Sequence, residues 1–359
     1  MTVRAIVLKV HLWLGVGAAI FLVILGLTGS IMAFENDIDH WLHPGLYYVQ
    51  AGRQALPEAE LIQKVQQQFA PARVAVVHIF RQPDLAHVMQ LNDRSTVMVS
   101  PYDGHILGRI TGPSATQKMI GYVHQLHTHL VPDPRSAQKA ARIGSVIVQS
   151  AGFILCLLVV LGMILWWRTK RASIQWRAQW FRICFDAHHA IGIYSALFLF
   201  IAALTGVLVE REDIIMRLTH SPEPLRFPQL QSGAAEGTIP IGVDRALGIA
   251  LAAIPGTTAT DVQLPLNPKG VFLVVLRVPE ETSETAHSYI FIDQYSGKVL
   301  HAMNFLTDSP GYRVIRFNRS IHTGDVWGTP GHILVSLSSL LLVVMVITGF
   351  VIWFKKLAL

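Results

Sequence analysis

"FDAHHAIGIYSALFLFIAALTG" runs from Phe185 to Gly206 and sets two histidines, His188 and His189, at the mouth of a long apolar run. "KVHLWLGVGAAIFLVILGLTG", Lys9 to Gly29, has the same layout: His11 answers His188, Gly15 answers Gly192, and Thr28-Gly29 answers Thr205-Gly206. About 20 apolar residues suffice to cross a hydrocarbon core of about 30 Å. Both stretches therefore read as membrane spans. An ionisable ring in or beside a span is costly, so each histidine is a functional-site candidate by default.

The rest of the chain fits that environment. Of its 359 residues 52% are hydrophobic and only 14% charged, with a mean hydropathy of +0.43, whereas a soluble domain carries about a quarter charged residues. The predicted class is a membrane α-helical protein. Residues 1–34 hold a first transmembrane helix, 35–142 an outer domain with a histidine segment, and 143–167 a second transmembrane helix. A basic loop at 168–187 leads to a third helix at 188–210, a second outer domain and histidine segment at 211–330, and a fourth helix at 331–354. The first apolar run is longer than the roughly 7 to 15 residues of a signal-peptide core and has no small-residue cleavage site. It reads as a retained span.

Lysine and arginine near the span ends set the orientation. The loop "RTKRASIQWRAQWFR" carries Arg168, Lys170, Arg171, Arg177 and Arg182 and no acid, so it is expected in the cytoplasm, with both termini. Arg4, Lys9, Lys355 and Lys356 agree. The net charge of +6 is then largely a matter of topology and membrane lipid, not of nucleic acid. Lys139, Arg142, Arg313, Arg316 and Arg319 sit on the expected outer side and ask for another reason. Cys156 and Cys184 are too few, and too close to the membrane helices, for a disulfide framework or a thiolate metal site.

The similarity of the two opening stretches extends along the chain as an internal repeat. "VSPYDGHIL" at 99–107 matches "IDQYSGKVL" at 292–300, "LHT" at 126–128 matches "IHT" at 321–323, and Gly144, Gly162 and Trp166 match Gly331, Gly349 and Trp353. Each half is a span, an outer domain, a histidine segment and a span. Two copies that both start and end inside are parallel repeats about an axis along the membrane normal. Each outer domain reads as a small α+β unit. The first has a helix from Pro57 to about Phe69, then strands at "VAVVHIF", "HVMQL", "STVMVS" and "HILGRI". The second has a helix at 241–253, then strands at "VFLVVLRV", "SYIFID" and "KVLHAM". Neither shows a phosphate loop, a dinucleotide fingerprint or a catalytic triad, and no catalytic residue is assigned.

The chemistry falls to the histidines. The repeat pairs His11 with His188 at the cytoplasmic ends of two spans and His127 with His322 at the outer ends. A four-helix bundle builds cofactor sites from side chains on facing helices. The 17 positions from His11 to Thr28, at about 1.5 Å each, separate the two levels by roughly 25 Å, one near each membrane face. Zinc prefers four ligands, commonly with Cys or carboxylate among them. Two imidazoles suit the axial positions of a haem, which brings its own four nitrogens. Two haem b groups per chain, held by His11 with His188 and His127 with His322, are the expectation. His189, His129 and His332 are the alternates. Arg313, Arg316 and Arg319, spaced by three, are candidate partners for haem propionates, and ordinary surface charge explains them nearly as well. Gly15, Gly17, Gly26, Gly29, Gly192 and Gly206 leave room for a macrocycle or for close helix packing. His124 aligns with Arg319 and reads as interfacial. His40, His43, His78, His87, His105, His220, His287 and His301 read as surface residues.

The "H..LG" openings with their "LTG" ends, the "PYDG.IL" and "QYSGKVL" turns, and the "LHT" and "IHT" segments before glycine-rich spans ending in Trp resemble the PepSY-associated transmembrane family over essentially the whole chain. The resemblance is to its iron-uptake branch. It implies an oxidoreductase that reduces ferric siderophore on the periplasmic side, with PepSY-like outer domains and electrons from a cytoplasmic or quinol donor. A quinol-linked cytochrome b with another acceptor and a non-redox PepSY regulator of a peptidase are the other readings the residues allow. A transporter is disfavoured, because the mid-span stretches Ile20–Leu25 and Leu197–Ile201 are apolar.

Overall fold

Long apolar runs close their backbone hydrogen bonds within themselves, which is the stable answer in lipid, and four such runs dominate the computed structural model. It describes residues 2–131, 133, 137–221, 228–233, 238–278 and 287–357. In chain order the helices are α1 (Val3–Met32), α2 (Glu35–Leu42), α3 (Pro44–Tyr47), α4 (Glu58–Phe69), α5 (Ala115–His129), α6 (Gln138–Thr169), α7 (Trp180–Glu210), α8 (Glu212–Leu218), α9 (Val243–Ala253), α10 (Pro310–Thr323) and α11 (Thr329–Leu357). The strands are β1 (Val74–His78), β2 (His87–Leu91), β3 (Ser95–Val99) and β4 (Ile106–Thr111), then β5 (Thr258–Gln263), β6 (Val271–Arg277), β7 (His287–Asp293) and β8 (Val299–Met303). The chain falls into two compact units.

The helical unit comprises Met1–Glu35, Lys118–His220 and Val314–Leu359. Helices α1, α6, α7 and α11 are each long and apolar enough to span a bilayer. Thr2 opens α1, its hydroxyl accepting from the Ala5 amide at 3.4 Å. The helix begins six residues before the Lys9–Gly29 stretch that predicts it. Each of α1 and α7 packs against both α6 and α11. Ala18, Leu22, Ala151, Leu155, Leu158, Leu199, Ala203 and Leu342 fill the centre. Outward-facing Ile20, Phe153, Leu197 and Ile347 are more than half exposed. In water such a continuous apolar surface would be a liability; in lipid it is the solvent-facing side. Two glycines are demanded by close approach: a Cβ on Gly144 would lie 1.6 Å from the His129 carbonyl oxygen, and one on Gly331 2.0 Å from that of Gly324. Those contacts set the last residue of α5 and the residue after α10 against the first turns of α6 and α11.

The second unit comprises Asn36–Gln117 and Ser221–Arg313. Its strands form one antiparallel sheet in the order β4-β3-β2-β1-β5-β6-β7-β8. Strand periodicity explains which face is buried: in β6, Phe272, Val274 and Leu276 alternate inward with partly exposed neighbours. That face, with Val77, Met89, Val97, Val262 and Ile290, packs on Leu61 and Val65 of α4 and Ala246 and Ala250 of α9. The two helices also touch at their N-termini, where the Asp244 carboxylate accepts from the Ala59 amide at 3.3 Å.

The sequence predicts two separate α+β domains, and the structure differs. β1 pairs with β5 through Val77↔Val262 and His78↔Asp261, so both sets of strands make a single sheet. β5, "TATDVQ", has only Val262 fully buried, and this polar strand carries too little apolar alternation to be read from sequence. His87 also departs from the surface reading. It is 5% exposed, its Nδ1 3.1 Å from Glu58 Oε1, and Glu58, in the first turn of α4, is buried with it. His78, by contrast, is partly exposed beside Asp261.

Candidate functional site

α5 and α10 end on the "LHT" and "IHT" motifs and bring His127 and His322 against α1 and α7. Their ring centres are 6.3 Å apart with the planes tilted by 46°. Each ring is backed by a Thr-Gly pair of the neighbouring span. Thr28 Oγ1 is 2.9 Å from His127 Nδ1, and a Cβ on Gly29 would sit 3.2 Å from His127 Cε1. Thr205 Oγ1 is 3.2 Å from His322 Nδ1, and a Cβ on Gly206 would sit 2.8 Å from His322 Cε1. The glycines give the rings their space, and the threonines hold them by Nδ1. His322 Nδ1 is also 3.1 Å from the Ala202 carbonyl. Burial pushes the His127 imidazole down to about 3, the His322 charge adding to the effect, and burial lowers His322 likewise. Both rings are thus neutral at physiological pH, the form that binds a metal.

At the other end of the bundle His188 repeats the pattern. Its Nδ1 is 3.0 Å from Thr348 Oγ1, and a Cβ on Gly349 would be 3.4 Å from its Cε1. His11 lies against Gly162 at the same 3.4 Å, but no hydroxyl meets its buried Nδ1, and the Leu158 backbone is the group in reach of its ring. His11 is within electrostatic range of His188 and of His189. His189 turns its Nδ1 to the Phe185 carbonyl at 2.9 Å and lays its ring on Phe185, centres 4.4 Å apart.

The remaining candidates have partners of their own. His129 Nδ1 bonds Thr128 Oγ1 at 2.6 Å. His332, in the first turn of α11, bonds Asp325 Oδ1 at 2.9 Å and meets the Phe34 ring edge-on. His124 pairs with Glu35 at 3.3 Å, and this hydrogen bond raises its pKa. Arg313, Arg316 and Arg319 all lie on α10, and the charge of Arg319 reaches both His124 and His322. Buried Asp186, one turn before His189, is bonded by Arg182 Nε at 2.9 and 3.0 Å.

Two imidazoles that each bind a metal at about 2 Å would hold their ring centres roughly 6 Å apart. The 6.3 Å between His127 and His322, with both Nδ1 atoms engaged elsewhere, is compatible with two imidazoles serving one metal. Among the described residues no group of three or more His, Cys, Asp or Glu side chains gathers to make a metal cage. The sequence points to all four histidines through its repeat, but not to their threonine partners. A signal for them existed: "LTG" at 27–29, "LTG" at 204–206 and "ITG" at 347–349 are the same device in three spans.

A search of curated proteins found no match to this chain. The family model described as the PepSY-associated TM region matches residues 8–356. From its first span to the end of its last, the chain belongs to the PepSY-associated TM family.

Proposed function

We propose that this protein is a di-haem b-type reductase of the bacterial inner membrane that carries electrons across the bilayer to ferric siderophore iron in the periplasm. The observation that carries the reading is the pair His127 and His322, ring centres 6.3 Å apart, partly buried and each held by Nδ1. The similarly backed His11 and His188 at the opposite end of the bundle support it. Held by His11 with His188 and by His127 with His322, haem would supply a one-electron carrier at each pair.

The chain's own residues do the rest. The four histidines offer imidazole nitrogens as ligands, and the glycines behind them leave the rings room. Between the two levels, Leu22, Leu155, Leu199 and Leu342 exclude water and ions, which suits electron passage and not solute transport. The two halves are read as parallel repeats. The basic loop between α6 and α7 argues for a cytoplasmic His11/His188 end and a periplasmic sheet. The donor is then a cytoplasmic reductant or a quinol, and Arg319 near His322 favours an anionic group, a propionate or the chelate itself.

The test is a reduced-minus-oxidised spectrum of the purified protein with haem quantification, followed by ferric-siderophore reduction in proteoliposomes. Two low-spin haems b per chain and turnover with a donor on the loop side are expected. Protein without haem absorbance overturns the reading in favour of a non-redox PepSY regulator.

A further inference from the structure

Three of the four histidines share a hydroxyl partner that axial ligation alone does not require. Thr28, Thr205 and Thr348 lie 2.9, 3.2 and 3.0 Å from the Nδ1 of His127, His322 and His188. Each hydroxyl also reaches a carbonyl four residues earlier in its own helix: Ile24 at 2.6 Å, Ile201 at 2.7 Å and Val344 at 2.8 Å. A hydroxyl has one hydrogen and two lone pairs. With the hydrogen donated to the carbonyl, the oxygen accepts from the ring, so the proton of each imidazole sits on Nδ1. His322 gives an independent sign, because the Ala202 carbonyl 3.1 Å from its Nδ1 can only accept. Nε2 is left with a free lone pair in every case.

His11 breaks the series. Its ring meets Gly162 at the distance at which His188 meets Gly349, yet its buried Nδ1 meets no hydroxyl, and only the Leu158 backbone lies in reach of the ring. The residue before Gly349 is Thr348; the residue before Gly162 is Leu161. The missing hydroxyl at His11 follows from that one difference in sequence.

We propose that Thr28, Thr205 and Thr348 are positioning residues that fix the tautomer of three haem-ligating histidines and strengthen them as donors, and that Leu161 leaves His11 the one ligand without a hydroxyl partner. This rests on the haem reading above. A hydrogen bond accepted from Nδ1–H raises the basicity of Nε2 and fixes the ring, which favours ferric iron and lowers the potential of that site.

The experiment is a redox titration of full-length protein, with paramagnetic resonance of the ferric form, for the wild type, Thr28→Val, Thr205→Val, Thr348→Val, Thr28→Ser and Leu161→Thr. Each valine keeps the shape and removes the hydroxyl. Thr28→Val and Thr348→Val are each expected to move one site's potential upward, to alter its low-spin signal, and to weaken its haem binding by about tenfold or more. Thr205→Val should do less, since Ala202 still accepts from His322. Thr28→Ser should restore the wild-type behaviour, and Leu161→Thr should move the His11/His188 site downward. The Leu161→Thr arm stands even if a valine variant does not fold. Variants that hold two haems with unchanged potentials and signals overturn this assignment alone. Wild-type protein without haem overturns it together with the functional reading.

Discussion

The two histidine pairs use the same parts to different degrees of completion. At the His127/His322 pair both rings have a threonine on Nδ1 and a glycine behind Cε1. At the His11/His188 pair both glycines are present and only one threonine. The difference separates two requirements that usually travel together. Space for the ring is needed at every site, and all four glycines supply it. Control of the ring's proton is a finer adjustment, and one site does without half of it. A second contrast runs alongside. His127 and His322 come from α5 and α10, outside the spans, whereas His11 and His188 belong to the spans themselves.

The largest expected effect comes from removing a ring. His322→Ala should take haem content from two per chain to one and stop reduction of ferric siderophore, while the sheet unit keeps its fold. His11→Ala should remove the opposite haem and leave the His127/His322 spectrum in place. Haem content and difference spectra of the two variants read this directly. Unchanged spectra in His322→Ala would move the assignment to His129 or His332.

A smaller effect tests whether the glycines exist for the rings. A Cβ at Gly206 would come to 2.8 Å from His322 Cε1, at Gly29 to 3.2 Å from His127, and at Gly162 and Gly349 to 3.4 Å from His11 and His188. Overpacking a buried site costs about 1–3 kcal/mol, whereas Gly to Ala in a helix interior gains about 1 kcal/mol. Crowding should win at Gly206 and propensity at Gly162 and Gly349. Thermal unfolding in detergent should therefore rank Gly206→Ala below Gly29→Ala, and Gly29→Ala below the other two. The same stability for all four alanine variants would mean the glycines serve only helix packing.

The smallest effect sits beside the His127/His322 pair, at His124 and Glu35. Their hydrogen bond raises His124 above its ordinary 6.5, so the stabilisation is complete below that pH and disappears as pH rises through the raised value. With the side chains 45% and 32% exposed, solvent screening limits it to a fraction of about 1 kcal/mol. Unfolding temperatures between about pH 6 and 8 should fall slightly in the wild type and stay level in Glu35→Gln. An identical slope in both would assign the pH dependence elsewhere.

Much of this organisation is written in the chain. Hydropathy alone locates α1, α6, α7 and α11, because transfer into lipid depends on residue type and run length and not on neighbours in space. Self-similarity selects His11, His188, His127 and His322 from sixteen histidines. Period and turn residues locate α4, α9 and seven of the eight strands, where one apolar face repeats every second or every third to fourth residue. Tertiary structure decided the rest. Thr28 and His127 are 99 positions apart, and Thr348 and His188 160, so no local pattern tells which hydroxyl meets which ring. β5 is a strand because β1 and β6 pair with its backbone on either side, and backbone pairing leaves little mark on side-chain choice. His87 is buried because Glu58 accompanies it inside, a pairing that only the packing of α4 on the sheet creates. The sequence, read residue by residue, could name the rings; which nitrogen each leaves free is a property of partners that come together only on folding.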